Sequence, residues 1–181
     1  MEPSTTTSTT SILPGVVRQV GYVVPDLDRA IASWLALGVG PWFVIRGHAQ
    51  AGTYRGAPCE VPLSVAFSNT GDLQLELISQ DDDTPSIYRE FLDSGRTGYH
   101  QLAWWAPDFE ATMARVDEAG WPVVWSGGEA GATRYAYVEV PDAPAAIVEI
   151  MELTELTQGM ATMVQGAADG WDGTDPVRTL M

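Results

Sequence analysis

From Gln19 to Val24 the chain alternates: Val20, Tyr22 and Val24 fall on one side, and Gln19, Gly21 and Val23 on the other. A period of two is that of a half-buried strand. Pro25 and Asp26 then interrupt the pattern, and the period changes. Ile31, Trp34 and Leu35 form an apolar stripe with helical spacing, Asp26 stands where a helix N-cap is expected, and Gly38 supplies a stop in the left-handed region. Sliding the chain along itself so that Gln19 meets Gln101 repeats the arrangement: Pro25 falls on Pro107, Asp26 on Asp108, Leu27 on Phe109, Ala32 on Ala114 and Gly38 on Gly120. The second copy predicts a strand over Gln101–Trp105, a cap at Asp108, a stripe at Met113 and Val116, and a stop at Gly120.

After each helix the pattern returns to strands. In the first copy these are Trp42–Arg46, Val61–Ser68 and Leu73–Ser79; in the second they are Pro122–Trp125, Tyr135–Val140 and Ala146–Met151. The expected organisation is a disordered Ser/Thr-rich leader at 1–13, a first βαβββ module at 14–80, a connector at 81–97, a second βαβββ module at 98–153, and a C-terminal helix and tail at 154–181. Thr84 and Pro85 are placed to start a short connector helix running to Leu92. The fold class is α+β.

Charge narrows the function. The 181 residues carry 24 acids against 9 bases, a formal net charge of −15, which argues against nucleic acid as a partner. All nine bases are arginine, so lysine Schiff bases and lysine general bases are excluded. The single cysteine, Cys59, has no partner for a disulfide or a thiolate metal site and reads as a small buried hydrophobe. The N-terminus has no basic flank and no apolar stretch, unlike a signal peptide, and no window reaches the roughly 18 apolar residues of a membrane span. A cytoplasmic protein with no membrane association is expected.

A duplicated βαβββ unit with Gln19-Val20-Gly21-Tyr22-Val23-Val24-Pro25-Asp26-Leu27-Asp28-Arg29-Ala30, Gly40-Pro41-Trp42, Leu75-Glu76-Leu77-Ile78, Phe91-Leu92-Asp93-Ser94-Gly95, Gly98-Tyr99-His100-Gln101-Leu102-Ala103 and Ile147-Val148-Glu149-Ile150 resembles the vicinal oxygen chelate superfamily, also called the glyoxalase/bleomycin-resistance/extradiol-dioxygenase fold. Within it the chain is most similar to the methylmalonyl-CoA epimerase-like and glyoxalase I-like branch. The resemblance implies two tandem modules forming a cup-shaped mixed β-sheet, and a homodimer. It also implies a divalent metal (Mg, Mn, Ni or Zn), with no organic cofactor, held by side chains at four strand positions: Gln19, Glu76, Gln101 and Glu149. Relatives carry imidazoles in that set, and here both histidine positions hold glutamine.

The residues support the same location. Gln19, Glu76, Gln101 and Glu149 are polar residues in otherwise apolar strands, and a buried carboxylate needs a partner, a metal or a proton. Two carboxylates facing each other across an apolar cup titrate together and can serve as acid and base. Metal-assisted proton transfer, metal-free catalysis and non-catalytic binding all remain open. With only His48 and His100 present, the histidine-rich iron site of a dioxygenase is excluded. Alternation sends His100 to the face opposite Gln101, as a structural histidine, and leaves His48 in an exposed loop.

Trp105 shares a face with Gln101, and with Trp42 it is expected to wall a site for a flat, apolar or aromatic small molecule. Arg55, with Arg46 and Arg134 as further candidates, is expected to grip an anionic group of the substrate. The leading expectation is an isomerase or lyase that moves a proton next to a carbonyl, with Glu149 and Glu76 as the catalytic pair. The alternative is a non-catalytic, bleomycin-resistance-type protein that binds a cationic or aromatic compound.

Overall fold

The computed structural model describes residues 11–180. The first module is β1 (Gln19–Val23), α1 (Leu27–Ala36), β2 (Trp42–Tyr54), β3 (Ala57–Thr70) and β4 (Leu73–Gln80). The connector carries α2 (Ile87–Asp93), and the second module is β5 (Gly98–Ala106), α3 (Phe109–Glu118), β6 (Val123–Gly127), β7 (Tyr135–Val138) and β8 (Ile147–Glu152). A C-terminal helix, α4 (Glu155–Ala168), and a short strand, β9 (Val177–Thr179), follow.

Both modules begin as the repeat dictates. The Asp26 carboxylate accepts from the Arg29 backbone N–H and the Asp108 carboxylate from that of Ala111, so each helix starts on the same cap. Gly38 and Gly120 end the helices at φ +81 and +69, a conformation that costs a glycine nothing. The connector helix starts later than expected: Ser86, not Thr84, is the N-cap, because its hydroxyl accepts from the backbone N–H groups of Tyr88 and Arg89. β2 and β3 also run much further, making one long hairpin that places His48 within a strand, though still exposed.

The mixed sheet follows the order β3-β4-β1-β5-β8-β7-β6-β2, and β2 also pairs with β3, so eight strands close on themselves. The closing seam is short: Gly52, Thr53 and Tyr54 of β2 lie opposite Gly127, Ser126 and Trp125 of β6. β1 and β5 join the modules side by side, and β1–β4 and β5–β8 are the parallel pairs within them.

The helices divide between the two faces of this sheet. On the outside, α1 seats Leu27 and Ile31 on Trp42, Val44, Ala66, Leu75 and Leu77. Likewise α3 seats Phe109 and Val116 on Ala136, Val138, Val148 and Ile150. Inside, α2 drives Ile87, Tyr88 and Phe91 among Val23, Leu63, Ile78, Trp125 and Ile147 and stoppers one end. At the other end α4 lays Val164 against Phe43 and Phe67. Each fully buried aliphatic side chain of this kind contributes roughly 1.5–3 kcal/mol.

Both ends of the described segment are docked on the sheet. Leu13 is buried in the α3 cluster and the Ile12 carbonyl accepts from Arg115, so the ordered body begins before residue 14; the rest of the expected leader, residues 1–10, lies outside the described residues. Trp171 packs over Gly40, where a side chain would meet its ring, and β9 pairs with Trp42–Val44 of β2.

Candidate functional site

Register decides which side chains meet inside the cup. Across the module junction Gly21 faces Gln101 and Gln19 faces Ala103; β4 places Glu76 beside Gly21, and β8 places Glu149 beside Ala103. Tyr137 of β7 is the antiparallel partner of Glu149. Gln101 is at the centre. Its Nε2 lies 2.9 Å from Glu149 Oε2, 3.2 Å from Glu76 Oε2 and 2.9 Å from the Tyr137 hydroxyl. The Tyr137 hydroxyl in turn lies 3.1 Å from that of Tyr88, at the plugged end.

Above the carboxylates opens a cavity of about 990 Å³, walled by Ile45, Val65, Phe67, Tyr135 and Met151. Glu76 and Glu149 both line it. Burial pushes both carboxyls upward: Glu149 to about 7, with the Gln101 amide N–H pulling the other way, and Glu76 well above the usual range, raised further by the charge of Glu149. Both carboxyls therefore hold a proton more readily than exposed ones do, which for Glu149 brings proton exchange close to neutral pH.

The two glutamines related by the repeat behave differently. Gln101 folds across β1, which is possible because Gly21 lies beneath it: a Cβ there would come within 2.4 Å of Gln101 Cγ. Gln19 faces Ala103 instead. Position 103, the counterpart of Gly21, carries a methyl group, and the Gln19 Nε2 donates to Gln74 Oε1 at 2.8 Å. Gln19 thus lies on the expected face but makes no hydrogen bond to either carboxylate.

His100 departs from strict alternation. Gly21 pairs with Gln101 but Tyr22 pairs with Tyr99, so His100 is the extra residue of a β-bulge and turns inward with Gln101. It is a buried, satisfied histidine: its Nδ1 lies 2.7 Å from Gln101 Oε1, its ring stands edge-on to Phe91 at 4.8 Å, and burial lowers its pKa to about 4. The neutral ring with its proton on Nδ1 donates to the Gln101 carbonyl.

The other expected contacts fall elsewhere. Trp42 is fully buried on the outside of the sheet beneath α1, because Phe43 and Ile45, not Trp42 and Val44, take the inner positions of β2. Arg55 sits at the tip of the β2–β3 hairpin, bound to Glu90 and Glu139, and does not line the cavity. Trp105 is on the inner face as expected but is buried beside the cavity, with Arg18 stacked over its ring at 4.5 Å. Arg46 pairs with Asp28. Arg134 does line the cavity, matched to Glu110 and Glu152. Cys59 is only partly buried, its thiol donating to the Pro85 carbonyl. Tyr137, Gly21 and Gln74 are the site residues that periodicity did not single out. The one sequence signal for the glycine is its position inside an otherwise bulky strand.

These residues do not fit the four-ligand metal centre that the fold implies. Gln19 is committed to Gln74, and Gln101 turns its N–H groups, not its carbonyl oxygen, toward the carboxylates. Among the described residues no cluster of three or more His, Cys, Asp and Glu side chains is arranged to hold an ion. Nor is any helix among them long and apolar enough to cross a membrane.

Two βαβββ modules paired through their first strands around an inward polar centre define the glyoxalase-like class. Residues 18–137 match the Glyoxalase/Bleomycin resistance protein/Dioxygenase superfamily, and the chain belongs to that superfamily. The match includes Gln19, Glu76 and Gln101 and ends before Glu149. Among solved structures, methylmalonyl-CoA epimerase from Mycobacterium tuberculosis is similar at 24% identity and TM-score 0.56, covering 83% of this chain and 95% of that one. A hypothetical protein from Bacillus halodurans C-125 is similar at 16% identity and TM-score 0.56, over 77% and 95%. A Streptomyces coelicolor methylmalonyl-CoA epimerase variant in complex with 2-nitronate-propionyl-CoA is similar at 18% identity and TM-score 0.55, over 77% and 95%. No curated protein matches the chain.

Proposed function

We propose that the protein is an isomerase-type enzyme that moves a proton on the carbon next to a carbonyl of a small, largely apolar or aromatic substrate. The observation that carries this reading is the convergence of Glu149 and Glu76 on the Gln101 amide N–H groups at the wall of one largely apolar cavity, with burial pushing both carboxyls upward. Glu149 takes the proton from the substrate carbon, and Glu76 donates its own to the carbonyl oxygen or to the opposite face of the carbon. The apolar walls exclude water and keep both groups near the pH at which they exchange protons. Similarity to epimerases supports this reaction class. A coenzyme A ester is a poor candidate, because the one arginine that lines the cavity among the described residues is already matched by two carboxylates. The homodimer is part of this reading, and sedimentation should give a mass near twice 19.5 kDa.

The test is proton–deuterium exchange in D2O, followed by NMR over a panel of aliphatic and aromatic 2-substituted thioesters and hydroxyketones. Exchange at the 2-position by the native protein, lost in Glu149→Gln, is the expected result. Tight binding of panel members with no exchange by the native protein would instead establish a binding protein of the bleomycin-resistance kind.

A further inference from the structure

The bulge of β5 gives Gln101 a fixed orientation. An amide side chain has two ends of opposite polarity, and turned through 180° it would aim its carbonyl at the two carboxylates. His100 prevents this: its Nδ1 sits 2.7 Å from Gln101 Oε1, inside a cage formed by Phe91, Tyr88 and Tyr137. With the carbonyl held there, the nitrogen projects to Glu149, Glu76 and Tyr137. Gly21 completes the arrangement by letting the side chain lie flat across β1. The result is a pair of N–H bonds between two carboxylates, the place where the superfamily's implied ion would bond them.

We propose that the Gln101 amide, oriented by His100, takes the place of a divalent cation in this protein, so that Glu76 and Glu149 are held together without a metal and His100 is the positioning residue. His100 touches no cavity volume and acts only through Gln101. Its effect on turnover rests on the proton-transfer reading, whereas the absence of a metal requirement does not.

Two measurements test the proposal. Protein purified without chelators is analysed for metals and melted with and without Mg²⁺, Mn²⁺, Ni²⁺ and Zn²⁺. The expected metal content is below about a tenth of an equivalent, with a Tm shift under about 1 °C from each ion. One equivalent of any ion, or a rise of several degrees, overturns the proposal.

In the second, His100→Phe keeps the ring packing but removes the donor, and kcat for deuterium exchange is expected to fall roughly tenfold to a hundredfold with KM little changed. His100→Gln, whose amide restores an N–H for Gln101 Oε1, is expected to recover most of that loss. Gln101→Met reads the same device without altering His100, should His100→Phe fail to fold, and a kcat equal to that of the native protein would refute the proposal. So would His100→Phe lowering Tm with kcat unchanged. Native protein that is metal-free and exchanges no proton with any substrate defeats the enzymatic reading and leaves the metal replacement standing. Exchange that appears only on adding an ion does the reverse.

Discussion

The first and second modules share a scaffold but not a chemistry. Asp26 and Asp108 cap equivalent helices, Gly38 and Gly120 end them, and Glu76 and Glu149 hold equivalent inner positions. Yet Gln101 binds both carboxylates while Gln19 binds neither, and the strand position facing each glutamine differs by one methyl group. Glycine at 21 lets a side chain cross the junction, and alanine stands at the equivalent 103. A duplicated fold can thus be made functionally one-sided by a change at a residue that performs no chemistry.

The largest test of that asymmetry is at the carboxylates. Glu149→Gln removes the proposed base and should lower kcat by roughly 10²–10⁴-fold, whereas Glu76→Gln, which can hydrogen-bond to the carbonyl but not deliver a proton, should lose less of the exchange at the carbon than of the full isomerisation. Deuterium exchange on any turned-over substrate measures both. Equal losses would show that the modules share the work evenly.

Next is the junction. Gly21→Ala forces a methyl into Gln101 and should cost about 1–3 kcal/mol of stability together with activity, read by urea melts and exchange rates. Ala103→Gly should change activity far less, with the smaller stability loss that a glycine in a strand brings. If the two exchanges prove equivalent, close approach at Gly21 is not what distinguishes the modules.

Stability should also depend on pH in the direction the buried pair dictates. A carboxyl displaced upward to about 7 favours the folded state fully below the ordinary value of 4.5 and loses that contribution as pH rises toward 7. Buried His100, lowered to about 4, contributes with the opposite sign over most of that interval, so the readout is the difference: the Tm of the native protein relative to that of Glu149→Gln is expected to fall between pH 4.5 and 7. A difference that instead rose through it would contradict the assignment. The smallest effect belongs to the shared scaffold: Asp26→Ala and Asp108→Ala should each cost about 1 kcal/mol, and equally, because both caps make the same bond.

The repeat, the caps, the helix stops and the inward carboxylates were legible in the sequence because each follows from periodicity or from a fixed offset. Local pattern carried no trace of features set by partners distant in sequence. Gly47 to Tyr54 reads as loop because it is rich in glycine and alanine, yet it extends β2 along β3 and across to β6. Alternation sends His100 to the outer face, and one bulge residue turns it inward instead. Bulk at Trp42 suggests a wall of the site, but register gives the interior to Phe43, and bulk alone does not say which way a ring points.

The doubly paired β2 also imposes an order on folding. Its partners include β3, a tight hairpin away, but also Ser126 and Val177, so most of the first module exists long before the strand is paired on both sides. Loop closure over such separations is slow, and an unpaired edge is the part of a nascent sheet most prone to pair with another chain. Refolding of the full chain is therefore expected to pass through a state with one open edge, with yields that fall as protein concentration rises.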